Sequence, residues 1–408
     1  MSGPAHRVVN ILYNRIGQKA MEADMKKTLA ILTILLMVLL SGLPLSAGTT
    51  WDGGGANTNI NTAVNWDDNV NPPFDGTQSV TFGTGGSTAT INTNVSFLGL
   101  IFNRDNNFTV AAGAGTLTVG SSGINAAVPG TTSRTYAISE GIVLGGDQTW
   151  TATNNGTGTT TLAASGAISG AGRNLTVTGT GATNISGVIG TGSGTLTKTG
   201  TGILTLTGTN TYSGGTTLLD GTLKVGNNSA LGTGMLTIGG GTLSSSSGTA
   251  RTIANETVIG ADFTLGQSSG GTGALTLSGA MDLGGAARQI TVNNSADTIS
   301  GVISGTGGIT KAGTGTLTLS GANTYSGGTT VKAGKLSVES DSNLGDTSGG
   351  LSFAGGTLRM AGSFVSGRDV TLNPGGGTFD TNGYDLTLSG DMTGSGTLTK
   401  AGSGILTL

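Results

Sequence analysis

One passage of this chain is written twice. Residues 198–225 read KTGTGILTLTGTNTYSGGTTLLDGTLKV, and residues 311–338 read KAGTGTLTLSGANTYSGGTTVKAGKLSV, with every position kept in step from Lys198/Lys311 to Val225/Val338. A third copy begins at Lys400 as KAGSGILTL and runs to Leu408. A segment recurring at fixed spacing is a building unit that stacks on its own kind, since one such unit cannot bury its apolar face alone. Weaker echoes extend it. Arg134-Thr-Tyr-Ala-Ile resembles Arg251-Thr-Ile-Ala at nearly the same spacing, and Leu231-Gly232 and Leu344-Gly345 follow the two full copies. Arg368 opens a shortened third unit, because Lys400 follows Lys311 sooner than Lys311 follows Lys198.

Inside the unit the hydrophobic period is two. Leu204-Thr-Leu-Thr207, Leu317-Thr-Leu-Ser320, Leu223-Lys-Val225 and Leu275-Thr-Leu277 put Leu and Val on one side of a strand and Thr, Ser or Lys on the other. Gly-Gly, Gly-Thr-Gly, Asn-Asn and Ser-Gly clusters between them are turn material. No helical period appears after residue 48. The chain holds 78 Gly but 6 Pro in 408 residues, without the every-third-residue Gly of collagen. Its 35% hydrophobic and 10% charged residues are the wrong balance for disorder. Many short strands with glycine at the corners remain: an all-β chain, expected to coil as a parallel β-solenoid. At roughly 20 to 24 residues per coil, residues 48–408 would make about 15 to 18 coils.

The N-terminus reads differently. Met25-Lys-Lys opens a basic start, Leu29 to Leu40 is an apolar run, and Leu43-Pro-Leu-Ser-Ala47 supplies a break and small residues. That is a cleaved secretory signal peptide over 25–47, with 1–24 an over-extended start and cleavage after Ala47 or Gly48. A retained N-terminal anchor is the alternative, although the run is short of the roughly 20 residues of a membrane span. Residues 48–133 are expected to cap the solenoid and form its first coils, with Trp51 and Trp66 covering the first edge. Residues 134–408 carry the repeats.

Residue types then narrow the chemistry. The one histidine, His6, precedes the signal, and there is no cysteine. Ser-His-Asp and Cys-His sites are therefore out of reach after residue 48, as are the usual nitrogen and sulfur zinc ligands. No phosphate-binding loop and no strand-to-helix dinucleotide turn occur. Setting aside five basic and two acidic residues before residue 48 leaves 13 and 19, a thin net charge of −6 that argues against nucleic acid. Paired carboxylates for glycoside chemistry are conceivable at Asp67 with Asp68 and at Asp341 with Asp346. Both read better as polar turns; the first copy has Asn228 opposite Asp341. Glu339-x-Asp341-x-Asn343 alternates oxygen ligands for Ca²⁺ but has Leu344 where a calcium loop needs Gly. Tyr212 and Tyr325 are either a sugar-stacking ladder or packed corner residues with wet hydroxyls, the second being preferred. Lys198, Lys311 and Lys400 are expected as isolated, solvated charges, and Asn210 and Asn323 as corners bonding their local backbone.

The pattern Lys-x-Gly-x-Gly-x-Leu-Thr-Leu-x-Gly-x-Asn-Thr-Tyr-Ser-Gly-Gly-Thr-Thr, followed by Gly-x-Leu-x-Val, strongly resembles the autotransporter-associated β-strand repeat, or passenger-associated transport repeat. Thr50-Trp-Asp-Gly-Gly54, Asn65-Trp-Asp67 and Gln148-Thr-Trp150 resemble the openings of such passengers. The resemblance implies a right-handed parallel β-helix passenger, handled by an export machinery and displayed at the outer membrane or secreted. The motif residues Lys198, Gly202, Leu204, Leu206, Asn210, Tyr212, Gly214 and Gly215, with Lys311, Gly315, Leu317, Leu319, Asn323, Tyr325, Gly327 and Gly328, then serve architecture. The β-barrel that ends such proteins is not in this sequence, and Leu408 falls inside a motif, as expected of a truncated reading. The expected role is a non-enzymatic solenoid stalk with an adhesive surface and no cofactor, its partners a surface glycan or a second copy. A polysaccharide hydrolase or lyase, or a non-catalytic glycan-binding module, is the alternative.

Overall fold

Leucines at every second position need a second layer to hide against, and the chain supplies it by winding on itself. A computed structural model describes residues 50–408 except 68, 84, 128 and 129, all within one unit, Thr49–Leu408. The over-extended start at 1–24 and the signal peptide at 25–47 lie outside the described residues. The unit is a β-solenoid of about 16 turns. Every pairing between its strands is parallel. Two short 3-10 turns, Ala63–Asn65 and Asp341–Leu344, are the helical elements among the described residues.

Each full coil visits three faces in a fixed order. Face I takes Gln148–Thr153, Leu175–Gly179, Leu196–Lys198 and, further on, Thr257–Ile259 and Ile303–Ser304. Face II takes Thr160–Ala164, Ile203–Leu206, Thr222–Val225 and Ile309–Ala312. Face III takes Ile168–Ser169 and Ile189–Gly190 early on, and later Arg251–Ile253, Leu275–Leu277 and Thr316–Leu319. Coil length is not uniform. Ile203 is in register with Thr222 on the next coil, whereas Phe263 is in register only with Ile290. The first step is shorter and the second longer than the expected coil, and the extra residues go into corners.

The core is the inside of this stack. Leu204 lies between Thr183 and Leu223, and Leu206 between Ile185 and Val225. Leu319 lies between Ile299 and Val338. Leu204, Leu206, Leu317 and Leu319 are fully buried. Each contributes roughly 1.5–3 kcal/mol by leaving water. At the N-terminal end Trp51 and Trp66 are also fully buried, their rings edge to face at 5.3 Å.

The topology gives the repeat a geometric meaning. From Leu196–Lys198, five steps along face I reach Ile303–Ser304, and the second copy begins on the next strand, Ile309–Ala312 of face II. The repeat unit is thus five coils plus one face. Four further steps along face II reach Met392–Gly394, and the third copy begins on Leu398–Ala401 of face III. Lys198, Lys311 and Lys400 therefore sit on three different faces.

Candidate functional site

The motif builds its own polar machinery where a face loses its strand. In the first copy, face III has no strand between Ile189–Gly190 and Arg251–Ile253. In the second, face I has none between Ile303–Ser304 and Phe364–Ser366. The Asn-Thr-Tyr-Ser-Gly-Gly segment occupies the first coil of each gap. Loss of a strand would orphan the backbone groups of the coil below, and buried amides need partners. Asparagine provides them, because its side chain carries the same donor and acceptor as a peptide group. Asn210 Oδ1 accepts from the Ile189 amide at 2.8 Å, and its Nδ2 donates to Ala230 O at 2.6 Å. Asn323 repeats this with the Ile303 amide at 2.8 Å and Asn343 O at 2.6 Å. These bonds run to the coils before and after, not to the local backbone as expected from the sequence. Both residues are buried.

The tyrosines also differ from expectation. Tyr212 and Tyr325 are fully buried, so no sugar can stack on them, and their hydroxyls are dry rather than wet. Tyr212 Oη pairs with Thr216 Oγ1 at 2.6 Å, and that hydroxyl donates to Leu231 O at 3.0 Å. Tyr325 makes the same relay through Thr329 to Leu344 O, at 2.6 and 3.2 Å. Burial raises both phenols, Tyr325 to about 12. The ring fills the space a strand would have lined, and the relay satisfies a carbonyl of the next corner.

The lysines are corrected most. Lys198 is 1% exposed and Lys311 0%. Each lies on an inward strand position, and its ammonium turns up to cap corner carbonyls. Lys198 Nζ donates to Thr199 O at 2.6 Å, Gly200 O at 2.5 Å and Asp220 O at 3.2 Å. Lys311 Nζ donates to Ala312 O, Gly313 O and Ala333 O at 2.9 to 3.0 Å. Desolvation pulls both amines down to about 8, countered at Lys198 by the nearby Asp220 charge. Lys400 reaches Gly402 O at 2.8 Å and is exposed.

The motif glycines are where coils touch most closely. A Cβ at Gly202 would lie 2.0 Å from Gly181 O, and one at Gly315 1.8 Å from Asn294 O, so only hydrogen fits. Gly214 and Gly327 are similarly crowded, while Gly215 and Gly328 adopt φ of +94° and +79°.

The acidic candidates of the second copy are already engaged. Asp341 is clamped by Arg368, whose Nε lies 2.9 Å from Oδ1. Asp346 Oδ1 accepts from the backbone and hydroxyl of Ser348, which hold its carboxyl below the usual range. The alternating oxygens proposed for Ca²⁺ are dispersed: Asn343 is buried, its Oδ1 taking the Glu339 and Ser340 amides. No group of three His, Cys, Asp or Glu side chains among the described residues could hold a metal. Asp68 lies outside the described residues.

Three polar residues escaped sequence reasoning. Arg368 is 2% exposed and also donates to Gly345 O and Gly349 O, knitting the strandless corner of the second copy. Arg104 is buried over the Phe108 ring at 4.5 Å and donates to Gly85 O. Asp297 occupies an inward position between Leu275 and Leu317, taking the Leu275 amide at 2.7 Å. Burial raises its carboxyl. Period two held the signal for two of the misread groups. Lys198 shares a face with Leu196, and Asp297 shares one with Ile299.

The passenger-associated-transport-repeat family matches residues 196–225 and 309–338, the two segments that build these strandless corners. The chain carries two passenger-associated transport repeats. A similar protein is the Adhesin BmaC autotransporter of Brucella suis biovar 1 (strain 1330), 36% identical over 129 residues. The alignment covers 31% of this chain and 4% of that protein, so the chain spans a small part of its length. No solved structure matches. In this chain each of the two repeats is a strand-replacing corner whose lysine, asparagine and tyrosine are spent on corner groups of its own and adjoining coils.

Proposed function

We propose that this solenoid is a passenger segment displayed at the cell surface or secreted, that it serves as an adhesive stalk, and that it does so without catalysis. The observation that carries the reading is the construction of the two transport repeats. Their conspicuous polar residues are buried and committed to holding coil on coil, which leaves an extended Thr- and Ser-rich exterior as the working part. The resemblance to an autotransporter adhesin supports the same reading. Each coil can complete its hydrogen bonds on the one before it, a mode of folding suited to a chain that crosses a membrane unfolded and assembles outside.

The test is display on intact cells. Antibody against residues 49–408 should label unpermeabilised cells, external protease should remove the signal, and cells lacking the gene should adhere less. Labelling that appears only after permeabilisation, with the product in the cytoplasmic fraction, would overturn the proposal.

A further inference from the structure

We propose that the exterior of face II, from the last strand of the first repeat toward the second repeat, is a binding groove for an extended, hydroxyl-rich glycan chain, neutral or amine-bearing, running along the coil stack. Two adjoining hollows of about 520 and 270 Å³ meet there and share Thr242 and Thr264. Their floor is a ladder of outward threonines, one per coil: Thr222, Thr242, Thr264 and Thr291 are successive register partners. Consecutive rungs are about 4.8 Å apart, close to the length of one sugar residue in an extended chain. The hydroxyls of Thr222, Thr242 and Thr264 make no hydrogen bond among the described residues, so each is free to give and take one.

One wall holds Asp220 and Asp262, on coils two steps apart and hence roughly 10 Å from each other along the stack. Both are exposed, and each commits one oxygen to a backbone amide, of Gly221 and of Gln289 respectively, leaving the other free. The coil between them presents Gly241, with φ of +76° and a would-be Cβ 2.8 Å from Gly221 O. This glycine keeps the notch open. The far wall is the loop from Gly266 to Ser269 with Asn293.

The chemistry selects the occupant. The face's backbone is already paired in its ladder, so a peptide cannot join as a further strand. The one large apolar side chain in the lining, Phe263, is buried and offers no anchor. The nearby cations are engaged: Lys224 donates to Gly270 O, and Lys332 reaches Gln289 Oε1 at 3.4 Å. An acidic chain would meet the two exposed carboxylates of Asp220 and Asp262 directly on the groove wall. Hydroxyls, amides and two free carboxylate oxygens suit sugar hydroxyls, and would favour an amine.

The inference rests on the adhesive reading for its biological use but not for its test. Full chain would be titrated calorimetrically with the glucosamine hexamer and with cellohexaose. At least one should bind saturably. Thr264→Tyr, a strand-compatible filling of the floor, should weaken binding at least tenfold, while Thr197→Tyr on face I should not. Asp220→Asn with Asp262→Asn keeps both amide contacts and should cost the amine-bearing sugar more than the neutral one. Absence of saturable binding by either sugar, or equal binding by Thr264→Tyr, would overturn the groove. So would a peptide that competes both sugars away. A displayed, adhesive chain that ignores both sugars refutes this inference alone; a chain confined to the cytoplasm refutes the proposed function alone.

Discussion

Replacing Asn323 by alanine removes the side chain that bridges three coils at the strandless corner of the second copy. Two bonds go, from the Ile303 amide at 2.8 Å and to Asn343 O at 2.6 Å. The site is buried, so water does not repay the loss. A buried polar group left without its partner costs about 1–3 kcal/mol, and two are left, with a small void besides. Allowing for partial relaxation, about 3 kcal/mol of local stability should be lost, roughly a hundredfold in an opening equilibrium. Solenoid coils interact with nearest neighbours, so the damage should stay local. Amide hydrogen exchange resolves this directly. The Ile303 amide should exchange about a hundredfold faster in Asn323→Ala, while the Ile189 amide, held by Asn210 in the other copy, should keep its rate. An Ile303 amide accelerated less than threefold, or an Ile189 amide accelerated equally, would refute the account of asparagine as a replacement peptide group.

Three further outcomes follow from the same geometry. Lys198 and Lys311 have folded-state values of about 8, below the unfolded value near 10.4, so the unfolded chain holds more protons between those values and stability should rise from about pH 8 to about pH 10. Above about pH 10 it should fall, since the fold keeps Tyr212 and Tyr325 protonated while unfolded tyrosines ionise; melting curves at stepped pH test both limbs, and Lys311→Met should flatten the rising one. Gly315→Ala must move the Asn294 carbonyl and should cost about 1–3 kcal/mol in denaturant unfolding, while Gly284→Ala, with open space around it, should pay only for its φ of +65°. Leu204→Asp places an unpaired charge between Thr183 and Leu223 and should abolish cooperative melting of the surrounding coils; an unchanged melting curve would mean the strand faces the other way.

The strands and their facing were legible because they rest on one period. Alternation alone places Leu204, Leu206, Leu317 and Leu319 inside, and glycine clusters mark the corners. The roles of the polar motif residues were not legible, because the asparagines bond to, and the lysines also reach, coils about twenty residues away along the chain, and the tyrosine relay ends on a carbonyl fifteen residues beyond its threonine. Asn210 looks like a local turn residue until Ile189 and Ala230 are seen above and below it. Lysine is so often solvated that the inward parity of Leu196-Thr-Lys198 carries little weight by itself. The shift of the repeat by one face was also hidden, since the span from Lys198 to Lys311 can be divided into coils only once the corner lengths are known. The groove depends on Asp220 and Asp262 lying two coils apart in one row, with Gly240 on the coil between, a relation that only the stacking of intervening coils creates.

A duplicated block of five and one-third coils has a consequence for how the molecule meets its surroundings. Each new copy starts a third of a revolution on from the last, so the strandless ledge of one points to a different compass bearing from the next. An antibody or receptor arriving from one direction would find that ledge once in each cycle of three copies, and lengthening the molecule by copying adds bearings before it adds valency.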